Sequence, residues 1–254
     1  MFHIFPTGLL LALVLACTNT RAQNYAVSSF NGDINALALK VYDRSTDINT
    51  NIQIYGVSAN GNIPLVGYLG LNLYIARGTG EYELPLLAGA GYDYLLYAVS
   101  PFVRDPKLGM VGVSVGRTEL DFDGAPPGST LKQDDLSFLV AGYLGPVTFS
   151  ATGTRTQDVD NIFTDQNYMW ADAVWYVTPD ILFDITVGFK EAKHSYAIAL
   201  EHQPSSILPN MSYGLGYSWD NGTDEKTIFL ALTYRFAEKK SLMKRYREDL
   251  FGPR

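Results

Sequence analysis

Residues 65–75, 181–190, 211–219 and 227–236 alternate between apolar side chains and small or polar ones. Leu69, Leu71, Leu73 and Ile75 share one parity, with Gly70, Asn72 and Tyr74 between them. Ile181, Phe183, Ile185 and Val187 alternate with Leu182, Asp184, Thr186 and Gly188, and Ile228, Leu230, Leu232 and Tyr234 alternate with Phe229, Ala231, Thr233 and Arg235. A period of two belongs to a strand that buries or solvates its two faces differently. Segments of about 9–11 residues are the length at which a tilted strand crosses a bilayer. After residue 22 no stretch approaches the roughly 18 apolar residues of a transmembrane helix, so any insertion must use strands.

The second parity decides between a soluble sandwich and a membrane barrel. A sandwich exposes Lys and Glu on its polar faces. Here those faces are rich in Gly, Ser, Thr and Tyr, which suits a lumen holding water and neighbouring side chains. Trp219, Tyr234 and Phe236 stand at the ends of apolar rows, where interfacial aromatics belong. With 47% hydrophobic and 13% aromatic residues, disorder is excluded.

Connection lengths support the same architecture. Residues 144–146 and 177–180 form tight turns, whereas 121–134, 156–166 and 220–226 are longer, polar and acidic. Strands are expected near 34–42, 51–58, 65–75, 92–100, 109–119, 135–143, 147–155, 167–176, 181–190, 194–201, 211–219 and 227–236. Residues 81–91 either lengthen the next strand or form a hairpin arm. The expectation is an all-β, antiparallel, up-and-down transmembrane barrel of about twelve strands, with about ten to fourteen left open.

The chain divides into three parts. Residues 1–22 read as a signal peptide, because the ten-residue apolar run 8–17 is too short to span and Thr20 and Ala22 suit cleavage after Ala22. Acylation of Cys17 is the alternative, although Leu15 fits a lipobox poorly. With cleavage at Ala22 the mature chain lacks cysteine, which removes disulfides and thiol chemistry. Residues 23–236 form the barrel, expected in the bacterial outer membrane. Its last strand ends on Phe236, a terminal aromatic of the kind read by the barrel assembly machinery. Outer-membrane lipid and lipopolysaccharide are the other expected partners.

Residues 237–254 form a basic tail with six Lys or Arg and three Asp or Glu. Leu242, Met243, Tyr246 and Leu250 in it have helical spacing, which predicts a short solvated periplasmic helix; docking to an anionic leaflet or a partner is the other reading. The formal net charge is −7, and the body from 23 to 236 carries −11, which argues against nucleic acid as a partner.

Three segments resemble a family of uncharacterised porin-like outer-membrane β-barrels of proteobacteria. They are residues 104–109 (RDPKLG) followed by Gly112 and Gly116, the turn at 176–180 (YVTPD), and the tail at 240–249 (KSLMKRYRED). The resemblance implies an outer-membrane barrel and supplies no substrate.

Chemistry is sparse. A hydrolytic site needs a nucleophile and a base within reach. His194 and Ser195 are adjacent, so on a strand they face apart, and His202 has only Ser205 and Ser206 nearby in a turn region. No catalytic residue is therefore assigned. Acidic loop clusters at 121–123, 158–160 and 220–225 lack a complete calcium-loop pattern, and no metal or cofactor is assigned. Charge in a strand centre is costly against lipid, which makes Asp172, Asp184, Lys190, Glu201, Arg235 and Arg117 the pore-lining candidates. Those charges could equally pair and fill the lumen, with Tyr68, Tyr74, Trp170 or residues 23–33 as plugs. Passive diffusion of small solutes or ions is the first functional expectation. A structural or surface-interaction barrel without an open pore is the second.

Overall fold

In the computed structural model the described residues are 31–43, 50–83, 90–124, 130–159, 165–190, 193–204, 207–208, 210–221, 226–235 and 241–248. The signal peptide, Cys17, Phe236, residues 23–30 and the tail beyond 248 lie outside them. Twelve antiparallel strands form a closed barrel, each paired with its neighbours in sequence. They are β1 (Asn31–Asp43), β2 (Thr50–Pro64), β3 (Leu69–Glu83), β4 (Ala90–Asp105), β5 (Gly109–Phe122) and β6 (Leu131–Leu144). There follow β7 (Val147–Asp158), β8 (Gln166–Thr178), β9 (Ile181–Lys190), β10 (Lys193–His202), β11 (Met211–Asp220) and β12 (Lys226–Arg235). One short helix, α1 (Leu242–Glu248), comes after them.

Closure runs through β1, which pairs with β12 from Asp33↔Arg235 to Tyr42↔Lys226 and with β2 from Asn31↔Asn62 to Asp43↔Thr50. No strand is left with a free edge. In an apolar phase each unpaired backbone group costs several kcal/mol, so closure is the condition for a sheet to reside there.

The expected strand count holds, and the one shifted strand is β3. Residues 65–68 form a turn, with Gly67 at φ +58° and the Leu69 N–H donating to the Val66 carbonyl over 3.0 Å. Leu65 and Gly67 share the parity of Leu69 without belonging to the strand. Tyr68 lies in this turn and is exposed, so it cannot plug the lumen. Residues 81–83 extend β3 and residues 90–91 open β4, so the described ends of the 81–91 segment are two hairpin arms.

Exposure is inverted relative to a soluble protein. Leu230, Phe138 and Val115 are 56%, 55% and 59% exposed, whereas Asn72, Thr148 and Ser100 are at 0–1%. Contiguous apolar surface of that kind requires an apolar neighbour. On β4 the outward row from Val103 to Leu95 spans about 27 Å along the strand, or about 20 Å of thickness at a tilt of about 40°. Trp175, Tyr213 and Tyr234 fringe the band on the short-turn side, and Trp219, Tyr196 and Tyr97 on the other. Beyond it β3, β5, β6 and β7 present Arg77, Arg117, Lys132 and Arg155 outward, which marks where the lipid ends.

Adjacent positions on β5 test this assignment. Val113→Lys should destabilise the barrel in vesicles by about 2–4 kcal/mol, as for a cation at the bilayer midplane. Ser114→Lys, one residue along and facing the lumen, should cost less than about 1 kcal/mol. Urea titration of the refolded variants reads the difference, and equal losses would contradict the facing.

Candidate functional site: the barrel lumen

Inward positions are small across much of the wall. Gly56, Ala76, Ala197, Ala199, Gly214 and Ala231 leave space, while Ser58, Ser114, Ser137 and Thr152 supply hydroxyls. Together they surround a cavity of about 880 Å³. Inward aromatic rings lie flat across glycines of the neighbouring strands. A Cβ at Gly216 would collide with the Phe229 ring, and one at Gly56 or Gly78 with Tyr94. The glycines thus allow rings to hug the wall and keep the centre clear.

Five of the six sequence candidates face inward. Asp172 on β8 is buried, and its carboxylate accepts hydrogen bonds from Ser150 Oγ and Thr186 Oγ1, both at 2.9 Å. Asp184 on β9 lies in register with Val174 and Ala199, one inward step toward the turn from Thr186, and is buried. The two carboxylates therefore share one face of adjacent strands. Lys190, at the far end of β9, sets its Nζ 4.9 Å from the centre of the Tyr168 ring. Arg235 is buried at the short-turn end of β12, where its backbone N–H donates to the Asn210 carbonyl. Glu201 accepts from Ser212 Oγ and forms an ion pair with Arg245.

Arg117 is the exception and corrects the pore-lining expectation. It shares the parity of Val111, Val113 and Val115 and so projects from the outer wall. There it makes a two-pronged ion pair with Asp134, at 2.6 and 2.9 Å, close to Tyr97 and Glu119. Its position above the apolar band, in water, removes the energetic argument that had turned it inward.

Of the plugs expected from sequence, Tyr74 and Trp170 line the cavity wall without filling it. Among the described residues the element that enters the barrel is α1, and the expectation of a solvated helix is overturned. Leu242 is fully buried against Val174, Tyr176 and Leu182, all on inward faces, with Met243 and Tyr246 beside it. Tyr246 also packs on Phe102, Met110, Leu139 and Ala141 across the barrel. The Leu242 N–H donates to the Pro179 carbonyl in the β8–β9 turn at 2.9 Å, which pins the start of the helix to the rim.

Two of its three basic residues, Arg245 and Arg247, are paired, and Lys244 stays exposed. Arg245 donates to Ser212 Oγ at 2.7 Å as well as to Glu201. Arg247 donates to Thr148 Oγ1 and to the carbonyls of Gly145 and Val147, and its guanidinium sits 4.6 Å from the centre of the Tyr143 ring. Tyr143 in turn donates to the Arg247 carbonyl at 3.1 Å. Arg245 and Tyr246 line the cavity, so the helix is its floor at the short-turn mouth.

Among the described residues His194 and His202 make no nucleophile–base pair, and Ser205 and Ser206 lie outside those residues. Ser195 faces the lumen against Gly188, while His194 stacks edge-on with Phe189 outside. His202 Nδ1 lies 2.6 Å from Tyr213 Oη on the outer wall.

No family model and no curated protein matches the chain. Solved structures do. An outer membrane channel from Pseudomonas putida F1 superposes with a TM-score of 0.62 at 12% identity, covering 85% of this chain and 99% of that one. The translocator domain of the autotransporter NalP from Neisseria meningitidis gives 0.54 at 8% identity, covering 90% and 94%. The KdgM porin in complex with disordered oligogalacturonate gives 0.53 at 6% identity, covering 81% and 99%. At these identities the likeness is one of fold, and that fold is the outer-membrane β-barrel.

The ring-on-glycine packing has a measurable cost when disturbed. Gly216→Val should destabilise the barrel by about 1–3 kcal/mol through overpacking against Phe229, and the double variant with Phe229→Ala should recover most of the loss. Denaturant unfolding in vesicles checks it; no recovery in the double variant would disprove the contact.

Proposed function

We propose that this barrel is a passive conduit for small solutes or ions across the outer membrane. The observation carrying this reading is the cavity inside the closed wall, lined by hydroxyls, Asp172, Asp184 and Lys190 and kept clear by rings lying on glycines. A barrel of twelve strands can enclose such a channel when inward side chains are small. In this reading α1 narrows the short-turn mouth, and solute passes when the helix shifts or around its flank. The pore-lining role belongs to Asp172, Asp184 and Lys190 in the cavity, with Glu201 and Arg235 acting nearer the mouth.

A second reading is favoured by α1 itself. Its ion pair with Glu201, its buried Leu242 and the Arg247 contacts fasten it in place, which suits a barrel closed at rest that serves as a scaffold or surface-interaction protein.

Single-channel recording in planar bilayers separates the two. The chain truncated after residue 236 should conduct several-fold more than the intact chain, and Arg245→Glu, which opposes Glu201, should move the intact chain toward the truncated value. Asp172→Asn and Asp184→Asn should lower cation preference, because each removes a lumenal negative charge, and Arg235→Gln should raise it. Folding is checked by faster gel mobility before heating than after. Silence from intact and truncated proteins that both show this shift would establish the scaffold reading.

A further inference from the structure

A trough of about 940 Å³ crosses the outer wall, and its floor is β1. Ala36 lies in register between Leu232 of β12 and Val57 of β2, and Ala38 between Leu230 and Tyr55. All six point outward, so two methyl groups stand where the adjacent strands carry large side chains. The Ala36 row continues to His202 on β10, at the short-turn rim, and to Arg77 on β3, and the Ala38 row to Leu200 and Thr79. Five interstrand intervals of about 4.8 Å make the trough about 24 Å long. With strands tilted about 40°, it climbs about 15 Å, most of the apolar band of about 20 Å.

The upper end supplies the charge. Arg77 follows Ile75 as the first polar outward residue of β3, so it stands where the apolar band stops. It is exposed and makes no ion pair with a described residue. Arg117 and Arg155, also outward and above the apolar band, are held by Asp134 and Asp165. An apolar channel of acyl-chain length that ends at the interface on a guanidinium with no ion pair to a described residue has the polarity of an acyl lipid with an anionic head. Arginine also matches phosphate oxygens in planar, two-pronged geometry.

We propose that this trough is a binding site for a phosphorylated acyl lipid of the leaflet on the long-loop side. One acyl chain lies over Ala36 and Ala38, and the phosphate is held by Arg77. The inference rests on the barrel spanning a membrane, and it assigns a defined lipid position that bulk solvation by lipid does not require.

Native mass spectrometry of the refolded full chain in detergent, titrated with phosphatidylglycerol or with diacylglycerol of the same chains, tests it. The wild type should retain phosphatidylglycerol about tenfold more tightly, the scale of one charge-assisted pair. Arg77→Gln should abolish that preference and Arg77→Lys should keep most of it. Ala36→Leu with Ala38→Leu, which fills the floor, should weaken both lipids. An undiminished preference in Arg77→Gln, or unchanged retention in the filled variant, overturns the site while leaving the barrel intact, provided the heat-dependent gel shift is present. Loss of that shift in the wild type would remove the membrane reading and this site with it.

Discussion

Backbone pairing between β1 and β12 is the constraint on which the rest of this protein depends. Lipid offers no hydrogen-bond partner to a strand edge, so a sheet enters the membrane only as a closed ring. Once the ring is closed, every strand has one face toward lipid and one toward the lumen, and the chemistry of each residue follows from its parity. Val113 and Ser114 are neighbours in sequence and occupy different solvents.

Closure also creates the space that the inner residues must manage. Glycines at 56, 78 and 216 allow Tyr94 and Phe229 to lie along the wall, so aromatic bulk is accommodated without obstructing the centre. The carboxylate of Asp172 is satisfied by Ser150 and Thr186 from the two flanking strands, a pairing that the register alone brings about. At the short-turn end the wall presents an apolar inner patch of Val174, Tyr176 and Leu182, with Phe102, Met110, Leu139 and Ala141 across the barrel. Covering that patch is what α1 does, and Arg245 and Arg247 exchange water for Glu201, Ser212, Thr148 and backbone carbonyls as it docks. Each is a charge-assisted contact, stronger than its neutral counterpart.

The fold was largely legible because strand parity is written locally. The alternation of Ile228, Leu230 and Leu232 with Phe229 and Ala231 needs no knowledge of distant residues, and the same is true of Ile181 to Phe189 and Met211 to Trp219. β3 was the least legible strand, since Leu65 and Gly67 continue its parity through a turn set by the left-handed backbone at Gly67. Asp172, Asp184, Lys190, Glu201 and Arg235 could be assigned inward from the cost of charge against lipid. Arg117 could not, because that cost ends where the apolar band ends, and the height of the band is a property of the assembled barrel.

What the sequence by itself determined is the class of the protein and the side of the wall that most residues face, because period-two alternation and the absence of a long apolar run act residue by residue. Only the tertiary structure decided where the helix after the last strand and the ends of the strands come to lie. The helical spacing of Leu242, Met243 and Tyr246 announces an apolar stripe but not its partner, which is assembled from β8 and β9, far earlier in the chain. The trough over Ala36 and Ala38 is equally invisible in the chain, because it exists only where β12, β1 and β2 are in register. Local patterns fix the solvent each face prefers; closure and register fix which faces meet.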